Sequence, residues 1–403
     1  MSNIAFLPSP VRIPGANIKV VGVGGAGCNA LNRMIECGVS GVQFIAMNTD
    51  LQSLAQCNAE VKIPLGPSMR GLGAGGNSER GAVAAEESRD EIRASIQGAD
   101  MVFIAAGMGG GTGTGAAPVV ASCASELGIL AVAVVLTPCR WEGAGKANKA
   151  TIGLEHLRNV ADTVIVVSNE KIKNCCPKNA TSIDAYRAAD SVLIQGVRGI
   201  SELILRPGII NVDFADVEAV LRDSREALIG TGEGGGDEAI LDAVRKALDC
   251  PLLESENLGA ATKVIISVMA NWSQIEHSAI ETAMNFLSQH YHGQPDIKLG
   301  QIEAPELDHR VFVTILASGF DDSLIEVGVG SSKEHNVLEP QLPNVGTNLN
   351  AFRVYGDTPA GTEYSTPTRL LPPTPTPSGE IDSSTQDLIV PAIIRHSNRL
   401  SME

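Results

Sequence analysis

Short apolar segments alternate with amphipathic ones from Ile18 onward, which predicts β-strands separated by α-helices. The apolar runs are nearly continuous, as is typical of strands buried on both faces of a parallel sheet. The predicted strands are Ile18–Val23, Val42–Asn48, Met101–Ala106, Ile129–Thr137 and Thr163–Ser168. The clearest helices between them are Ala30–Glu36 and Ser78–Gln97. The pattern therefore predicts an α/β fold with a mainly parallel sheet covered on both faces.

A longer amphipathic pattern follows, with apolar residues at every third or fourth position from Ile183 to Ile204. Thr181 or Ser182 can cap its start, and Arg206-Pro207-Gly208 ends it. A helix of roughly 25 residues spans roughly 37 Å, which is about the width of a domain. We therefore expect a central helix that joins two domains rigidly.

Beyond this helix the chain is expected to be helical to about Leu248. The segments Lys263–Met269 and Arg310–Phe320 then indicate strands flanking a helix at Glu276–Gln289, which predicts a second, smaller α/β domain. Periodicity fades after Phe320, and residues 358–379 are rich in Pro, Thr and Ser, a composition typical of a disordered linker.

An apolar patch returns at residues 387–395, in a tail where we expect it to bind a partner. These patterns together divide the chain into predicted segments. They are a flexible N-terminus (1–16), a first α/β domain (17–181), the central helix (182–206), a second α/β domain (207–320), a disordered linker (321–385) and a partner-binding tail (386–403).

Composition and charge narrow the classes of function. Subtracting 46 acidic from 30 basic residues gives a net charge of −16, which argues against general nucleic-acid binding. The longest apolar run, Ile129–Leu136, is far shorter than the ~20 residues of a membrane span, and residues 1–15 lack a signal-peptide core. We therefore expect a cytoplasmic protein that does not insert into membranes. The eight cysteines form no Cys-x-x-Cys pair, so we expect reduced thiols and no metal site made by the protein alone.

A first glycine-rich motif, Gly22-Val23-Gly24-Gly25-Ala26-Gly27, leaves the first strand and opens the first helix. Glycines at such a turn let backbone N–H groups approach a phosphate at a helix N-terminus. Asp50 follows the second strand at about the spacing at which an acidic residue of a dinucleotide-binding fold meets a ribose. A dinucleotide-dependent oxidoreductase is therefore one open alternative.

A second glycine-rich stretch, Gly107 to Gly115, follows the predicted strand Met101–Ala106 and precedes a helix near Ala116. Ordering so many glycines has a large entropic cost, so a phosphate-binding loop is a better explanation than an ordinary connector. No Lys-Ser or Lys-Thr follows the glycines, so this is not a Walker A loop. Amides, Thr hydroxyls, helix dipoles and a metal ion would have to balance the phosphate charge.

These loops resemble those of the tubulin/FtsZ superfamily, and in particular its FtsZ branch of bacterial cell-division GTPases. The resemblance rests on five segments in the family's order between Ile18 and Phe320. They are Gly24–Asn29, Ala46–Asp50, Gly73–Asn77, Gly109–Gly115 and Asn211–Val217. It implies a Rossmann-like GTPase domain, a central helix and a second domain, in a protein that forms head-to-tail filaments and hydrolyses GTP between subunits.

The same resemblance implies the residues that bind GTP or GDP. Those expected around the nucleotide and its phosphates are Gly24, Gly25, Ala26, Gly27, Cys28, Asn29, Asn48, Asp50, Gly75, Gly76, Asn77, Gly110, Gly111, Thr112, Gly113, Thr114 and Gly115. Glu142 would contact the ribose, with Lys146 nearby where relatives usually carry Arg. Tyr186 and Asp190 lie four residues apart on the central helix, so that the ring can stack on the base and the carboxylate can accept from guanine.

Asn211, Asp213 and Asp216 follow the central helix, in a loop spanning residues 207–217. Two carboxylates near a helix start are usually caps. The resemblance instead implies that they act on the nucleotide of the next subunit, where they orient the attacking water, with Mg²⁺ as the expected metal.

The resemblance also implies a role at the mid-cell division ring, with the tail at residues 387–395 binding a membrane adaptor and other division proteins. Ile393 and Ile394 stand where relatives carry Phe-Leu. Besides the oxidoreductase, a second open alternative is a filament scaffold that keeps the fold without hydrolysing GTP.

Overall fold

A computed structural model describes residues 15–175, 181–206, 208–236, 238–250, 253, 258–291 and 294–320. Side chains are described for these residues except at 173–175 and 182–186. The predicted linker and partner-binding tail, and nearly all of the predicted N-terminal segment, lie outside the described residues. In the described part of the chain, no helix has both the length and the apolar character needed to cross a membrane.

Six parallel strands form the first part of the sheet, in the order β3-β2-β1-β4-β5-β6. They are β1 (Ile18–Val23), β2 (Val42–Asn48), β3 (Val61–Pro64), β4 (Met101–Gly107), β5 (Leu130–Thr137) and β6 (Thr163–Ser168). All five predicted strands are confirmed to within one residue at each end, because nearly every side chain in these runs is buried. Strand β3 was not predicted, since it has only four residues.

Helices cover both faces of this sheet. They are α1 (Gly24–Glu36), α2 (Leu51–Ala55), α3 (Ser78–Glu87), α4 (Arg89–Ile96), α5 (Thr112–Glu126), α6 (Ala144–Arg158) and α7 (Asn169–Cys175). Alternate residues of β1 serve two different cores: Ile18 and Val20 pack with α1, whereas Val21 and Val23 face the core that contains α3 to α6. The parallel sheet covered on both faces is therefore as predicted.

The single helix predicted at Ser78–Gln97 is wrong, because the chain forms α3 and α4 with a break at Ser88. The Ser88 hydroxyl is buried, accepts a 3.1 Å hydrogen bond from the Gly66 N–H and lies 3.5 Å from the Pro64 carbonyl oxygen. This link ties the helix break to the loop that follows β3. A serine inside an amphipathic pattern gives no sign of such a contact.

The predicted long helix is confirmed as α8 (Ser182–Leu205), a helix of 24 residues. Its buried stripe includes Leu193, Val197 and Ile200, at the spacing that the sequence shows. The helix starts beside the first part of the sheet and leads into the remaining elements.

The remaining elements of the described chain continue the same sheet. They are β7 (Gly208–Ile210), α9 (Phe214–Leu221), β8 (Arg225–Gly235), α10 (Ala239–Leu248), β9 (Lys263–Ala270), α11 (His277–Ser288), β10 (Asp296–Glu303) and β11 (Arg310–Ser318). Beyond β6 the strand order is β8-β11-β9-β10-β7, with β11 antiparallel to both of its neighbours. The predicted strands at Lys263 and Arg310 and the helix at Glu276 are confirmed as β9, β11 and α11.

The predicted continuous helix to Leu248 is wrong, because residues 208–248 include strands β7 and β8. Gly230, Gly232 and Gly234 occupy alternate positions on β8 and face α10. A Cβ atom at any of them would collide with a backbone carbonyl of α10, at Ala247, Ala243 or Ala239 respectively. The glycines allow the helix to lie directly on the strand, but they also remove the alternation of apolar residues that would have indicated a strand.

Candidate functional site

A cavity of about 870 Å³ lies where strands β1, β4 and β5 end and helices α1, α5 and α6 follow. Ligands of open α/β sheets commonly bind at this edge, beyond the carboxyl ends of the strands. The predicted binding residues that line it are Gly25, Ala26, Asn29, Gly110, Gly111, Thr112, Gly113, Glu142, Lys146 and Asp190.

The first glycine motif brings the N-terminus of α1 to the cavity. Gly24 begins the helix with φ of +74°, in the left-handed region that favours glycine, and no atom lies within 4 Å of where a Gly25 Cβ would be. Gly27 instead packs against β4, because a Cβ there would collide with the Ala105 carbonyl. Gly24, Gly27 and Cys28 do not line the cavity, and the thiol of Cys28 is buried in the core. The glycines therefore have two uses, open backbone at Gly25 and close packing at Gly27.

The second glycine stretch brings the N-terminus of α5 to the same cavity. The Thr114 hydroxyl accepts a 2.8 Å hydrogen bond from the Gly109 N–H, and the Thr49 and Thr112 hydroxyls lie 2.6 Å apart. Thr114 and Gly115 themselves lie behind the cavity wall, where Gly115 packs against α3. Because the N-termini of α1 and α5 both open here, unpaired N–H groups and two helix dipoles favour an anion such as a phosphate chain.

Asp190 lies at the other end of the cavity, on α8. It is 8% exposed, and its Oδ2 lies 2.7 Å from the Nε of Arg33 on α1. Burial raises the pKa of the Asp190 carboxyl to about 6, although the Arg33 guanidinium acts in the opposite direction. The Tyr186 side chain lies outside the described residues, so its predicted stacking stays a prediction.

Asn169 also lines the cavity and was not predicted. Its Oδ1 is buried and has no hydrogen-bond partner within the described part of the chain. An unpaired buried acceptor is costly, so this atom is suited to receive a hydrogen bond from a ligand. A base with N–H donors would satisfy it.

Glu142 and Lys146 form a pair on the side of the cavity made by the start of α6. Lys146 Nζ lies 2.8 Å from Glu142 Oε2, while Glu142 Oε1 accepts a 2.9 Å hydrogen bond from the Cys139 N–H. The carboxylate is thus held at both oxygens. The predicted ribose contact of Glu142 stays a prediction.

Asn48 and Asp50 lie beside the first glycine motif without lining the cavity. Asn48 is 2% exposed, and its Oδ1 accepts from the Asp50 N–H at 3.3 Å. The Asp50 carboxylate caps α2 by accepting from the Gln52 and Ser53 N–H groups. The Asp50 carboxylate is therefore already used as a helix cap. The oxidoreductase alternative would require this carboxylate to be available to bind a ribose.

The loop at residues 73–77 contains Gly75, Gly76 and Asn77 and passes beside the second glycine stretch. Gly75 and Gly76 have φ of +62° and +73°, and the Asn77 side chain caps α3 through the Arg80 N–H. A Cβ on Gly111 would lie 2.8 Å from the Cβ of Ala74, so the two loops touch. The loop therefore borders, from outside, the end of the cavity that the second glycine stretch forms.

Asn211, Asp213 and Asp216 are not among the residues that line this cavity. Asn211 Oδ1 accepts from the Gly208 N–H, Asp213 caps α9 through the Asp216 N–H, and Asp216 lies 3.4 Å from Lys298 Nζ. From Asp190 to the end of α8, fifteen helical residues span roughly 22 Å. Within one chain the structure therefore separates these carboxylates from the cavity.

Sequence reasoning missed several lining residues besides Asn169. Asn32, Arg33 and Glu36 on α1 line the cavity together with Asn29. Their spacing of three and four residues places them on one helical face, and this polar stripe is a signal that could have revealed them. No such signal marks Arg187. Among the described residues, no group of three or more His, Cys, Asp or Glu side chains could hold a metal ion.

Comparison with known proteins gives consistent matches. Residues 17–177 match the GTPase domain of the Tubulin/FtsZ family, and residues 225–321 match the C-terminal domain of the FtsZ family. An FtsZ dimer from M. jannaschii is 42% identical, with a TM-score of 0.70, covering 75% of this chain and 88% of that one. A single-site variant of FtsZ from M. jannaschii is 41% identical, with a TM-score of 0.71 and coverage of 76% and 92%.

The fold is also similar to that of CetZ2 from Haloferax volcanii, which was solved as a GTPγS-bound protofilament. The identity is 21%, the TM-score is 0.65, and the match covers 76% of this chain and 94% of that one. At this identity the likeness concerns the fold alone.

Proposed function

Because the chain belongs to the tubulin/FtsZ family of GTPases, we propose that it assembles head-to-tail into filaments and hydrolyses GTP at the junction between neighbouring copies. The observation that carries this proposal is the separation of the cavity from Asp213 and Asp216. A cavity with phosphate-binding features lies at one end of α8 and a pair of carboxylates follows the other end. A second copy would bring the two together.

In this proposal the cavity residues bind and orient GTP. The helix N-termini of α1 and α5 face the phosphates, and Asp190 and the unpaired Asn169 Oδ1 accept from guanine. Mg²⁺ would accompany the nucleotide, held mainly by phosphate oxygens, and would offset charge on them. The hydroxyls of Thr49 and Thr112 are hard oxygen ligands of the kind that Mg²⁺ accepts.

The carboxylates of Asp213 and Asp216 would orient the attacking water on the nucleotide of the adjacent copy. Within the described part of the chain, Asp213 accepts from the α9 backbone and Asp216 pairs with Lys298 on β10. Asp213 Oδ1 serves the cap, so its second oxygen is the acceptor proposed to hold the water. Asn211 stabilises the loop by accepting from Gly208.

The proposed cellular role is the division ring, in the cytoplasm at mid-cell. The 42% identity with an FtsZ, against 21% with CetZ2, favours this role. Adaptor binding through the tail at residues 387–395 belongs to the same proposal and follows from the sequence.

The shared site is tested by mixing two variants that should each be almost inactive alone. Asp213→Ala should bind GTP and co-assemble, but its loop leaves the neighbour's GTP without a carboxylate. Gly25→Glu keeps Asp213 and should exclude GTP from its own cavity, because a side chain at this position enters open space in the cavity. Phosphate release from the mixture should exceed the sum of the separate activities, because an interface can then combine the intact cavity of one chain with the intact carboxylates of the other. Glu218→Ala on α9 is the matched control and should leave turnover unchanged.

Three outcomes would contradict the proposal. A mixture of the two variants that releases no more phosphate than the sum of their separate activities, with co-pelleting confirmed, would place catalysis within one chain. Pelleting that depends on GTP without phosphate release at any protein concentration would instead favour the scaffold alternative. A filter-binding preference for NAD over GTP would restore the oxidoreductase.

A further inference from the structure

Lys149 makes a contact that the site described so far does not use. It lies on α6, and its ammonium donates a 2.6 Å hydrogen bond to the carbonyl of Gly76, 73 positions earlier in the chain. Gly76 is at the tip of the loop at residues 73–77, where two successive glycines have positive φ. The bond therefore joins the tip of a glycine loop to a separate helix.

One backbone hydrogen bond anchors that loop, and another closes its tip into a turn. The Gly73 N–H donates to the Thr49 carbonyl at 3.0 Å, and the Asn77 N–H donates to the Ala74 carbonyl at 3.2 Å. Gly75 and Gly76 are the central residues of this turn, and their positive φ angles suit glycine. A single side-chain bond at the tip is well placed to decide where this segment sits.

The loop tip and α6 both border the phosphate end of the cavity. Asn77 N would lie 3.1 Å from a Cβ on Gly111, which lines the cavity at the start of α5. On the other side, a Cβ on Gly109 would lie 2.7 Å from the Lys146 carbonyl oxygen, so α6 touches the same glycine stretch. Lys149 thus spans two walls that meet beside Gly109 and Gly111.

The two lysines on this part of α6 have different partners. Lys146 is paired with Glu142 at 2.8 Å, whereas Lys149 is bound to a backbone carbonyl that carries no net charge. An ammonium has three N–H donors, so Lys149 can donate to an anion as well as to the Gly76 carbonyl. The second glycine stretch, Gly107 to Gly115, contains no lysine. The Lys149 ammonium could therefore supply the positive charge that the lysine of a P-loop supplies to a bound phosphate.

We propose that Lys149 is a positioning residue that holds the 73–77 loop against the terminal phosphate of a bound nucleoside triphosphate and adds positive charge there. A diphosphate lacks that terminal group. Lys149 therefore favours GTP over GDP. The inference rests on the proposed function, because it takes the cavity to be the GTP site.

The test compares GTP and GDP affinities of full-length variants by equilibrium dialysis, with EDTA and dilute protein so that neither hydrolysis nor assembly intervenes. Lys149→Ala should weaken GTP binding about three- to tenfold, the size expected of an exposed charge-assisted hydrogen bond, and leave GDP within about twofold. Lys149→Arg should restore most of the difference. Lys62→Ala is the matched control. Lys62 is an exposed lysine on β3, and it donates to the carbonyl of Ala55 on α2.

A second measurement is hydrogen exchange at the Gly75, Gly76 and Asn77 amides in the presence of GTP. We expect faster exchange in Lys149→Ala and unchanged exchange in Lys62→Ala. An unchanged ratio of GTP to GDP affinity, or an equal loss for both nucleotides, would overturn the proposal for Lys149. Failure of the wild-type protein to bind either nucleotide would instead overturn the proposed function.

Discussion

Asp190 shows how one side chain in the cavity is subject to opposing effects. Burial favours its protonated form, while the Arg33 guanidinium 2.7 Å away favours the carboxylate. Burial has the larger effect, so the pKa lies near 6 rather than near 4. The carboxylate therefore exists at neutral pH, but it is close to titration.

This balance predicts that nucleotide binding depends on pH. In the proposed binding mode the carboxylate form of Asp190 accepts from the guanine N–H groups and the neutral acid loses that capacity, so GDP affinity should fall as pH drops from 7.5 through 6 to 5. Fluorescence titration with labelled GDP across this range measures the effect.

Asp190→Asn serves as the matched control, because an amide does not titrate. Its GDP affinity should be lower at pH 7.5, by the roughly tenfold or more expected for a mismatched buried polar group, and nearly flat between pH 7.5 and 5. An equal decline with pH in the variant would assign the titration to a group other than Asp190.

Individual residues also show how much of the site could be predicted from the sequence. Gly25 and Gly111 were predicted from glycine-rich motifs together with the family resemblance that those motifs carry. Arg33 was missed although it belongs to a polar stripe on α1 that the sequence shows. Asn169 was missed because a single polar residue in a helix has no signature until its neighbours are known. Asp213 illustrates the converse, since its capping bond to the Asp216 N–H is the ordinary role of such a residue and its proposed catalytic role needs a second chain.

At the scale of the element, β8 has one face made of glycine. Gly230, Gly232 and Gly234 lie under α10, and the helix backbone occupies the space that side chains would need. Close packing of this kind leaves little room to adjust. Gly235 follows on the same strand with open space around it.

We therefore predict contrasting effects of two alanine substitutions on β8. Gly232→Ala should lower the free energy of unfolding by about 2 kcal/mol or more, because its Cβ collides with the Ala243 carbonyl. Gly235→Ala should change it by no more than about 0.5 kcal/mol. Urea denaturation measures both. Similar stabilities for the two variants would show that α10 moves away at little cost.

The elements also show where sequence reasoning succeeds. Strand β4 was predicted because every position is apolar, β1 because every position except Lys19 is apolar, and α8 because its apolar stripe repeats over 24 residues. The break at Ser88 and the strand β8 were missed. In both cases contact with another part of the chain decides the structure. The Ser88 hydroxyl is hydrogen-bonded to the Gly66 N–H, and helix α10 lies on the glycines of β8.

At the scale of the whole molecule, the tail is separated in sequence from the folded elements by the predicted linker. Its apolar patch of Leu388, Ile389, Val390, Ile393 and Ile394 follows a segment rich in Pro, Thr and Ser. A long polar linker lets a short motif reach a partner without altering the filament.

Deletion of residues 387–403 should therefore leave GTP turnover and pelleting nearly unchanged in the purified protein, while abolishing recruitment to the membrane in cells. Phosphate release, sedimentation and imaging of a fluorescent fusion measure the three properties. Loss of assembly in the purified truncation would show that the tail takes part in the polymer.

The distance along α8 between the cavity and the carboxylates has a consequence for how filaments age. If each carboxylate pair serves only the neighbour's nucleotide, a filament always has one fewer complete site than it has subunits. The nucleotide of one terminal subunit lacks a partner and persists as GTP, so the two ends differ chemically. Short filaments then hold a larger fraction of unhydrolysed GTP than long ones, and GTP turnover per subunit rises with filament length.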